Sequence, residues 1–224
     1  MAQGQRKAQQ KKSSLTPFVI IGIVVIGAAA IALSLSGGGS SSTDTTSATG
    51  AGEYQSVSVT GDALAPLGDT GVDAALGKKA PALTGKRFNG SEVSIAPGTT
   101  GKPTMLVFLA HWCPHCNREV PRLVEWNDKG LVPDGLRVVG ITTASRDDQA
   151  NWPPSEWIQT MKWPFDVMAD SQAGDAAAAY GVDGYPFMVI LDAQGNVVKR
   201  TSGEHELSEL TAMINEALGV SANA

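Results

Sequence analysis

The two cysteines of the chain lie three positions apart, in the segment AHWCPHCNREVPRL that begins at Ala110. A pair with this spacing can exchange disulfides with another protein, supply part of a metal site, or staple the chain locally. A staple is disfavoured, because loop-closure stabilisation grows with loop length and this loop is minimal. Cys113 and Cys116 therefore predict redox chemistry or metal binding.

The metal alternative rests on four soft ligands in one short run, His111, Cys113, His115 and Cys116, which suit copper(I) or zinc. A closed zinc site normally takes a second pair of ligands elsewhere, and the chain offers only His205 beyond this run. A copper-binding protein or metallochaperone stays the alternative of another class, but no residue is assigned as a metal ligand. A peroxidase would need a reactive cysteine of its own outside the pair, and the chain has none.

The residues around the pair indicate a strand that runs into a helix. Thr104–Ala110 form a continuous apolar run, which is typical of a strand buried on both faces. The pattern from Pro114 to about Trp126 is helical, and proline is tolerated in the first turn because its missing N–H would be unpaired there anyway. Pro121 should kink this helix. Cys113 is thereby placed at the junction of strand and helix.

The rest of the chain alternates strands with helices. A short strand is predicted at Tyr54–Val59, followed by a hairpin with Asn89-Gly90 at its turn. Beyond the first helix, the predicted elements are a strand at 136–144, a helix at 155–162, a strand at 165–170, a helix at 174–181 that Gly181 ends, strands at 185–192 and 197–203, and an amphipathic helix at 206–218. This order predicts an α/β sandwich with a mixed sheet and helices on both faces.

Residues 1–53 are predicted to form a membrane anchor and a flexible tether. Residues 1–16 are basic, and the uncharged apolar segment 17–35 is long enough, at about 19 residues, to cross a membrane. Basic residues before the span place the N-terminus in the cytoplasm and the remainder outside. A cleaved signal peptide has a shorter apolar region, so one uncleaved transmembrane helix is favoured.

Residues 36–53 are nearly all Gly, Ser and Thr and are expected to form a flexible linker. Residues 54–224 then form the folded domain, which is large enough for one core. The formal net charge of −5 offers no basic face, so no nucleic-acid partner is expected.

The segment at the pair fits the pattern W-C-x-x-C-x-x-E-x-P, and the matching residues are Trp112, Cys113, Cys116, Glu119 and Pro121. With Pro186 opening a late strand before a hairpin and a last helix, residues 76–219 resemble thioredoxin, and more narrowly the membrane-anchored thioredoxins of the TlpA/ResA type. The resemblance implies a thioredoxin-like three-layer sandwich that acts as a protein thiol–disulfide oxidoreductase. The resemblance also implies that the redox-active group is the Cys113–Cys116 disulfide and that no cofactor is needed.

The two cysteines are expected to have different roles. Cys113 lies where unpaired backbone N–H groups and the positive end of the helix dipole favour a thiolate, so it is the predicted nucleophile. Cys116, one turn further on, is the predicted resolving thiol. Pro114-His115 is the pair of residues that the oxidising DsbA family carries, and a stabilised thiolate makes the disulfide a better oxidant. The scaffold, in contrast, resembles that of proteins that are often reductants, so the sequence leaves the direction open.

Glu119 is the predicted proton shuttle for the resolving thiol. Thioredoxin places an acid in the strand before the pair, and the corresponding stretch LVFLA has none. A partly buried carboxyl group should have a raised pKa, which suits acid–base work near neutral pH. The alternative is a solvated helix glutamate paired with Arg118 or Arg122.

The substrate-binding prediction concerns Trp112, Tyr185 and Pro186. The resemblance implies that the bond before Pro186 is cis and faces the pair, and that the backbone of Tyr185 pairs with an extended client peptide. Trp112 is expected to rim the groove. Core packing is expected for Trp152, Trp157 and Trp163, and loop positions are expected for Pro153, Pro154 and Pro164.

Together these features predict a single-pass protein of the cell membrane whose thioredoxin-like domain is extracytoplasmic. Its clients would be exported protein thiols or disulfides, and a membrane redox partner would restore the pair. As a reductant it would serve apocytochrome c or mis-bridged proteins, which the resemblance implies. As an oxidant it would serve newly exported chains with reduced cysteines.

Overall fold

The computed structural model describes residues 52–68 and 71–220. The predicted basic segment, the apolar segment 17–35 and most of the predicted linker lie outside the described residues. Within the part of the chain that is described, no helix has both the length and the apolar character needed to cross a membrane.

Eight strands and four helices make up the described chain. The strands are β1 (Ser58–Thr60), β2 (Ala82–Lys86), β3 (Glu92–Ile95), β4 (Thr104–Leu109), β5 (Arg137–Thr142), β6 (Asp166–Ala169), β7 (Phe187–Leu191) and β8 (Val197–Ser202). The helices are α1 (Pro114–Asp128), α2 (Pro154–Thr160), α3 (Asp175–Ala179) and α4 (Leu207–Leu218). From β4 onward the order is the predicted one, and Gly181, in the left-handed region at φ 64°, follows α3 as expected.

All eight strands join in one mixed sheet with the order β1-β2-β6-β5-β4-β7-β8, and β3 pairs with β2. The neighbouring strands β4, β5 and β6 are parallel. Strand β7 is antiparallel to β4, and β8 is antiparallel to β7. The predicted mixed α/β sheet is thereby confirmed.

Strand β4 is buried along its whole length because it has a core on each face. Met105, Val107 and Leu109 point into the core that α1, α2 and α4 cover. Leu106 and Phe108 point to the opposite core, which α3 and the chain before β2 cover. Successive side chains of a strand face opposite sides, so a strand between two cores needs apolar residues at every position.

The strand predicted at Tyr54–Val59 is wrong for most of its length, because β1 begins only at Ser58. Tyr54 instead donates a hydrogen bond from its hydroxyl group to the carbonyl oxygen of Ser145, at 3.0 Å. Its ring packs on Trp152, with ring centroids 5.9 Å apart. The polar and aromatic groups of this segment are therefore used to fasten the chain to a loop.

Two of the prolines expected in loops lie at the start of α2. Pro154 is the first residue of the helix and is buried, so its assignment to a loop is wrong. Pro153 caps the helix, and the bond between Trp152 and Pro153 is cis. A proline at the first helical position loses no hydrogen bond, which explains how Pro154 is accommodated. Pro164 lies between α2 and β6, as expected.

Candidate active site

The cysteine pair lies where β4 passes into α1. Cys113 is the residue before the helix, with extended backbone angles of φ −74° and ψ 122°, and Pro114 opens the first turn. The N–H of Cys113 donates to the carbonyl oxygen of Ala110 at 3.0 Å, which closes a tight turn after the strand. Both thiols are free. The chain therefore presents the cysteine pair at the N-terminus of a helix.

The two sulfurs have unequal surroundings. Cys113 is 6% exposed, whereas Cys116 is completely buried. Burial raises the pKa of the Cys116 thiol strongly, although the N–H of Ala110 donates to its sulfur at 3.4 Å. Cys116 therefore needs a base to remove its proton, and Cys113 is the sulfur that another protein can reach.

The predicted substrate-binding residues surround Cys113. Its thiol donates to the carbonyl oxygen of Tyr185 at 3.5 Å, and the bond from Tyr185 to Pro186 is cis, as expected. The Trp112 ring meets the Tyr185 ring edge to face, with centroids 6.2 Å apart. Trp112 is half-buried, and its indole N–H donates to the carbonyl oxygen of Ala144 at 2.8 Å. A backbone segment and two aromatic rings thus border the reachable sulfur.

Glu119 is buried beneath the pair, so the alternative of a solvated glutamate is wrong. Its Oε2 accepts a hydrogen bond from the N–H of His205 at 3.0 Å and lies 3.4 Å from Nη1 of Arg122. Its Oε1 has no hydrogen-bond partner among the described residues. Burial raises the pKa of Glu119, while the His205 N–H and Arg122 oppose that rise. The charge of Glu119 contributes to the raised pKa of Cys116, so the two groups interact.

His115 extends to the surface with its side chain 58% exposed, and its Nδ1 lies 2.6 Å from Oε1 of Glu204. Glu204 also accepts hydrogen bonds from Arg118 and Arg122. The hydrogen bond from Arg118 lowers the pKa of Glu204 most, the contact with His115 lowers it next, and the resulting pKa is about 2. Sequence reasoning missed Glu204, although the spacing of 115, 118 and 122 on one helix face is a signal for a shared acidic partner.

The histidines of the proposed metal run are engaged elsewhere. His111 is buried between the active-site turn and the loop after β5, with Nδ1 2.7 Å from the carbonyl oxygen of Ala150. Its Nε2 accepts from the N–H of Arg146 at 3.1 Å, so the ring is neutral with its proton on Nδ1. Burial lowers the pKa of His111. Among the described residues, no group of three or more His, Cys, Asp or Glu side chains could hold a metal ion.

Asn117 is a further residue of the site that sequence reasoning missed. Its Nδ2 donates to the carbonyl oxygens of His111 and Cys113, at 3.0 and 2.8 Å. Its Oδ1 accepts from the indole N–H of Trp157, which is 4% exposed and packs in the core as expected. Trp152 and Trp163 are only half-buried. Asn117 therefore fixes the backbone of the turn on which Cys113 lies.

Comparison with known proteins gives a family and several relatives. The profile of the AhpC/TSA family matches residues 76–200. Thiol:disulfide interchange protein HelX of Rhodobacter capsulatus is 26% identical over 149 residues, which are 66% of this chain and 79% of HelX. Sporulation thiol-disulfide oxidoreductase A of Bacillus subtilis is 24% identical over 131 residues, which are 58% of this chain and 76% of that protein.

Among solved structures, a thioredoxin-family thiol:disulfide interchange protein from Chlorobium tepidum is similar, with a TM-score of 0.50 and 25% identity. The match covers 66% of this chain and all of that protein. The fold is therefore thioredoxin-like, and the Cys-x-x-Cys pair lies within the part of the chain that these relatives share.

Proposed function

Because the chain belongs to the AhpC/TSA family, we propose that Cys113 and Cys116 exchange disulfides with client proteins. The chain is a thioredoxin-like thiol–disulfide oxidoreductase of the TlpA/ResA type. One observation carries the assignment of roles: Cys113, at the N-terminus of the helix, keeps 6% of its surface exposed, whereas Cys116 has no exposed area. An intermolecular disulfide therefore forms at Cys113, and an intramolecular attack from Cys116 resolves it.

In the direction that reduces a client, the Cys113 thiolate attacks one sulfur of the client disulfide. The client S–S bond breaks, a Cys113–client disulfide forms, and the second client sulfur leaves as a thiolate that takes up a proton. Cys116 then gives its proton to the Glu119 carboxylate and attacks Sγ of Cys113. The second S–S bond breaks, the first client sulfur leaves, and two electrons have passed to the client. The same steps in reverse oxidise a client dithiol.

The surroundings of Glu119 support its part in this exchange. Its Oε1 is buried and free of hydrogen-bond partners among the described residues, so it can accept a proton without losing another contact. Its raised pKa brings the carboxyl group closer to neutral pH, where a general base is most effective.

Client binding uses the border of the reachable sulfur. The peptide between Tyr185 and Pro186 lies against Cys113 and would pair with an extended client backbone. The half-buried ring of Trp112 would cover an apolar client side chain. A border built from backbone and aromatic rings favours unfolded chains of varied sequence over one folded partner.

The favoured direction is the donation of a disulfide to clients. Pro114 and His115 open α1, and the Arg118 guanidinium group lies on the same helix face. The oxidising DsbA family carries the same Pro-His pair between its cysteines, and this resemblance supports the direction. The alternative, reduction of apocytochrome c, rests on the family resemblance alone.

For the cellular setting, the proposal is a single-pass membrane protein with residues 1–16 in the cytoplasm, a span at 17–35, a linker at 36–53 and the domain outside. Its support is the basic segment followed by the uncharged apolar run. Exported thiol pairs need a redox partner, which would lie in the membrane. Protease accessibility of the domain in intact spheroplasts, with the mature N-terminus sequenced, tests this arrangement. A mature N-terminus at residues 30–40 would contradict the anchor.

Mixed-disulfide capture tests the function itself. Cys116→Ser should accumulate disulfide-linked client complexes through Cys113, because no resolving thiol remains. Cys113→Ser is the matched control and should accumulate none, since Cys116 is buried. Absence of complexes with the first variant, or equal amounts with both, would contradict the assigned roles.

A further inference from the structure

The carboxylate of Glu204 contacts three side chains on one face of α1. It lies in the loop between β8 and α4, and its carboxylate accepts from Nη2 of Arg118 at 2.6 Å and from Nη1 of Arg122 at 3.0 Å. The third contact is the 2.6 Å approach of His115 Nδ1. With its side chain only 21% exposed, Glu204 is shielded by the groups that it binds. The Glu204 carboxylate thus contacts three side chains on the surface of α1, the helix that begins at the cysteine pair.

Two of these groups are close to the chemistry. His115 lies between the two cysteines in the sequence. Nη2 of Arg118 lies 3.0 Å from Nδ1 of His115, so the guanidinium group lies on the helix face next to the pair. The charge on this helix face therefore includes the Arg118 guanidinium group and the carboxylate that binds it.

The loop that carries Glu204 also contacts Glu119, the buried carboxyl group beneath the pair. The N–H of His205 donates to Glu119, and Arg122 lies between Glu119 and the loop carboxylates. Glu206 contacts Arg122 at 2.9 Å and also accepts from the N–H of Glu209 at the start of α4, and its side chain is 70% exposed. Glu204 and Glu206 thus belong to one loop and share Arg122, but only Glu204 touches His115 and Arg118.

We propose that Glu204 is a positioning residue that sets the reduction potential of the Cys113–Cys116 pair. Its carboxylate binds His115 and Arg118 on the helix face next to the pair and offsets part of the positive charge of the Arg118 guanidinium group. The inference rests on the proposed thiol–disulfide exchange and adds a determinant of its equilibrium from a distant part of the chain. Removing the negative charge leaves more positive potential at Cys113, which favours its thiolate. The reduced pair is then stabilised, so the disulfide becomes more oxidising.

The test is the equilibrium of the oxidised and reduced pair with glutathione, measured for the full chain and for Glu204→Gln. We expect the variant to shift this equilibrium towards the dithiol by about two- to fivefold, the range typical of partly exposed charge pairs. Glu206→Gln is the matched control and should leave the equilibrium unchanged. A shift with Glu204→Gln that is no larger than with Glu206→Gln, or a shift towards the disulfide, would overturn the proposal.

Arg118→Gln provides a second and opposite readout that does not depend on the folding of the Glu204 variant. Removing this cation should shift the equilibrium towards the disulfide, and Arg118→Lys should restore part of the shift. Failure of the unaltered protein to exchange with glutathione at all would refute the proposed function, whereas normal exchange with unshifted variants refutes only the role of Glu204.

Discussion

The sulfur of Cys113 lies 3.5 Å from the carbonyl oxygen of Tyr185, although 72 positions separate them in the chain. The register of the sheet produces this contact. Strand β7 is antiparallel to β4 with Phe108 opposite Phe187, so the end of β4 lies beside the start of β7. The turn after the first strand and the segment before the second therefore meet, and the reactive sulfur faces a backbone that a client can approach.

His115 is expected to make the pair more oxidising. Replacing His115 by Ala removes a group that can carry positive charge near Cys113, so the equilibrium with glutathione should move towards the disulfide. We expect about a threefold change, within the range for exposed charges. Lys129→Gln, which removes a cation from the far end of the same helix, should have no effect. An equal shift in the two variants would contradict local tuning by His115.

Glu119 is expected to accelerate the step at Cys116. Glu119→Gln should slow release of a preformed mixed disulfide by about 10²-fold near neutral pH, because the buried thiol loses its base. Formation of the mixed disulfide at Cys113 should be much less affected. Glu125→Gln, on the exposed face of the same helix, is the control. Stopped-flow tryptophan fluorescence can separate the two steps, and equal slowing of both would argue against a proton shuttle.

His111 is expected to make stability depend on pH. The unfolded chain protonates this ring at about pH 6.5, whereas burial lowers its pKa in the folded protein. Below pH 6.5 the unfolded state therefore binds more protons, so the stability contributed by neutral His111 is complete above this pH and is lost as the pH falls.

Urea unfolding at pH 7.5 and 5.5 measures this effect. The loss of unfolding free energy on acidification should be smaller in His111→Asn than in the unaltered protein. An identical loss in both would show that His111 does not titrate as its contacts require.

Asp73 and Arg200 form a buried ion pair that fastens the segment before β2 to the sheet. Asp73 accepts from Nε of Arg200 at 2.9 Å, and the guanidinium group also donates to the carbonyl oxygens of Ala65 and Tyr180. Asp73→Ala leaves a buried cation without its carboxylate and should cost about 3–5 kcal/mol of unfolding free energy. Asp148→Ala breaks an exposed pair with Arg146 and should cost far less, because solvent screens that pair. Similar losses in urea unfolding would contradict this difference.

The order of elements from β4 onward could be predicted because local patterns determine it. An uninterrupted apolar run such as 104–109 has few outcomes other than a strand between two cores. Pro114 after Cys113 likewise gives the start of α1, since proline is favoured at that position. The cysteine pair and its place at the helix N-terminus follow from these two signals.

The side chains that surround the pair could not be predicted in the same way. Glu204 lies 89 positions after His115, and only the packing of α4 beside α1 brings the two together. The burial of His111 depends on the loop after β5, which presents both a carbonyl oxygen and an N–H to the ring. Such contacts depend on tertiary geometry, for which a single sequence carries no periodic signal.

The reactivity of the two cysteines in the reduced, folded protein tests the central assignment most directly. Iodoacetamide should modify Cys113 first at neutral pH, and Cys116 should stay unmodified until the protein is unfolded, because it is buried and its pKa is raised. Peptide mass spectrometry over a time course reads both sites at once. Modification of Cys116 at the rate of Cys113 or faster would contradict the assignment of Cys113 as the nucleophile and Cys116 as the resolving thiol.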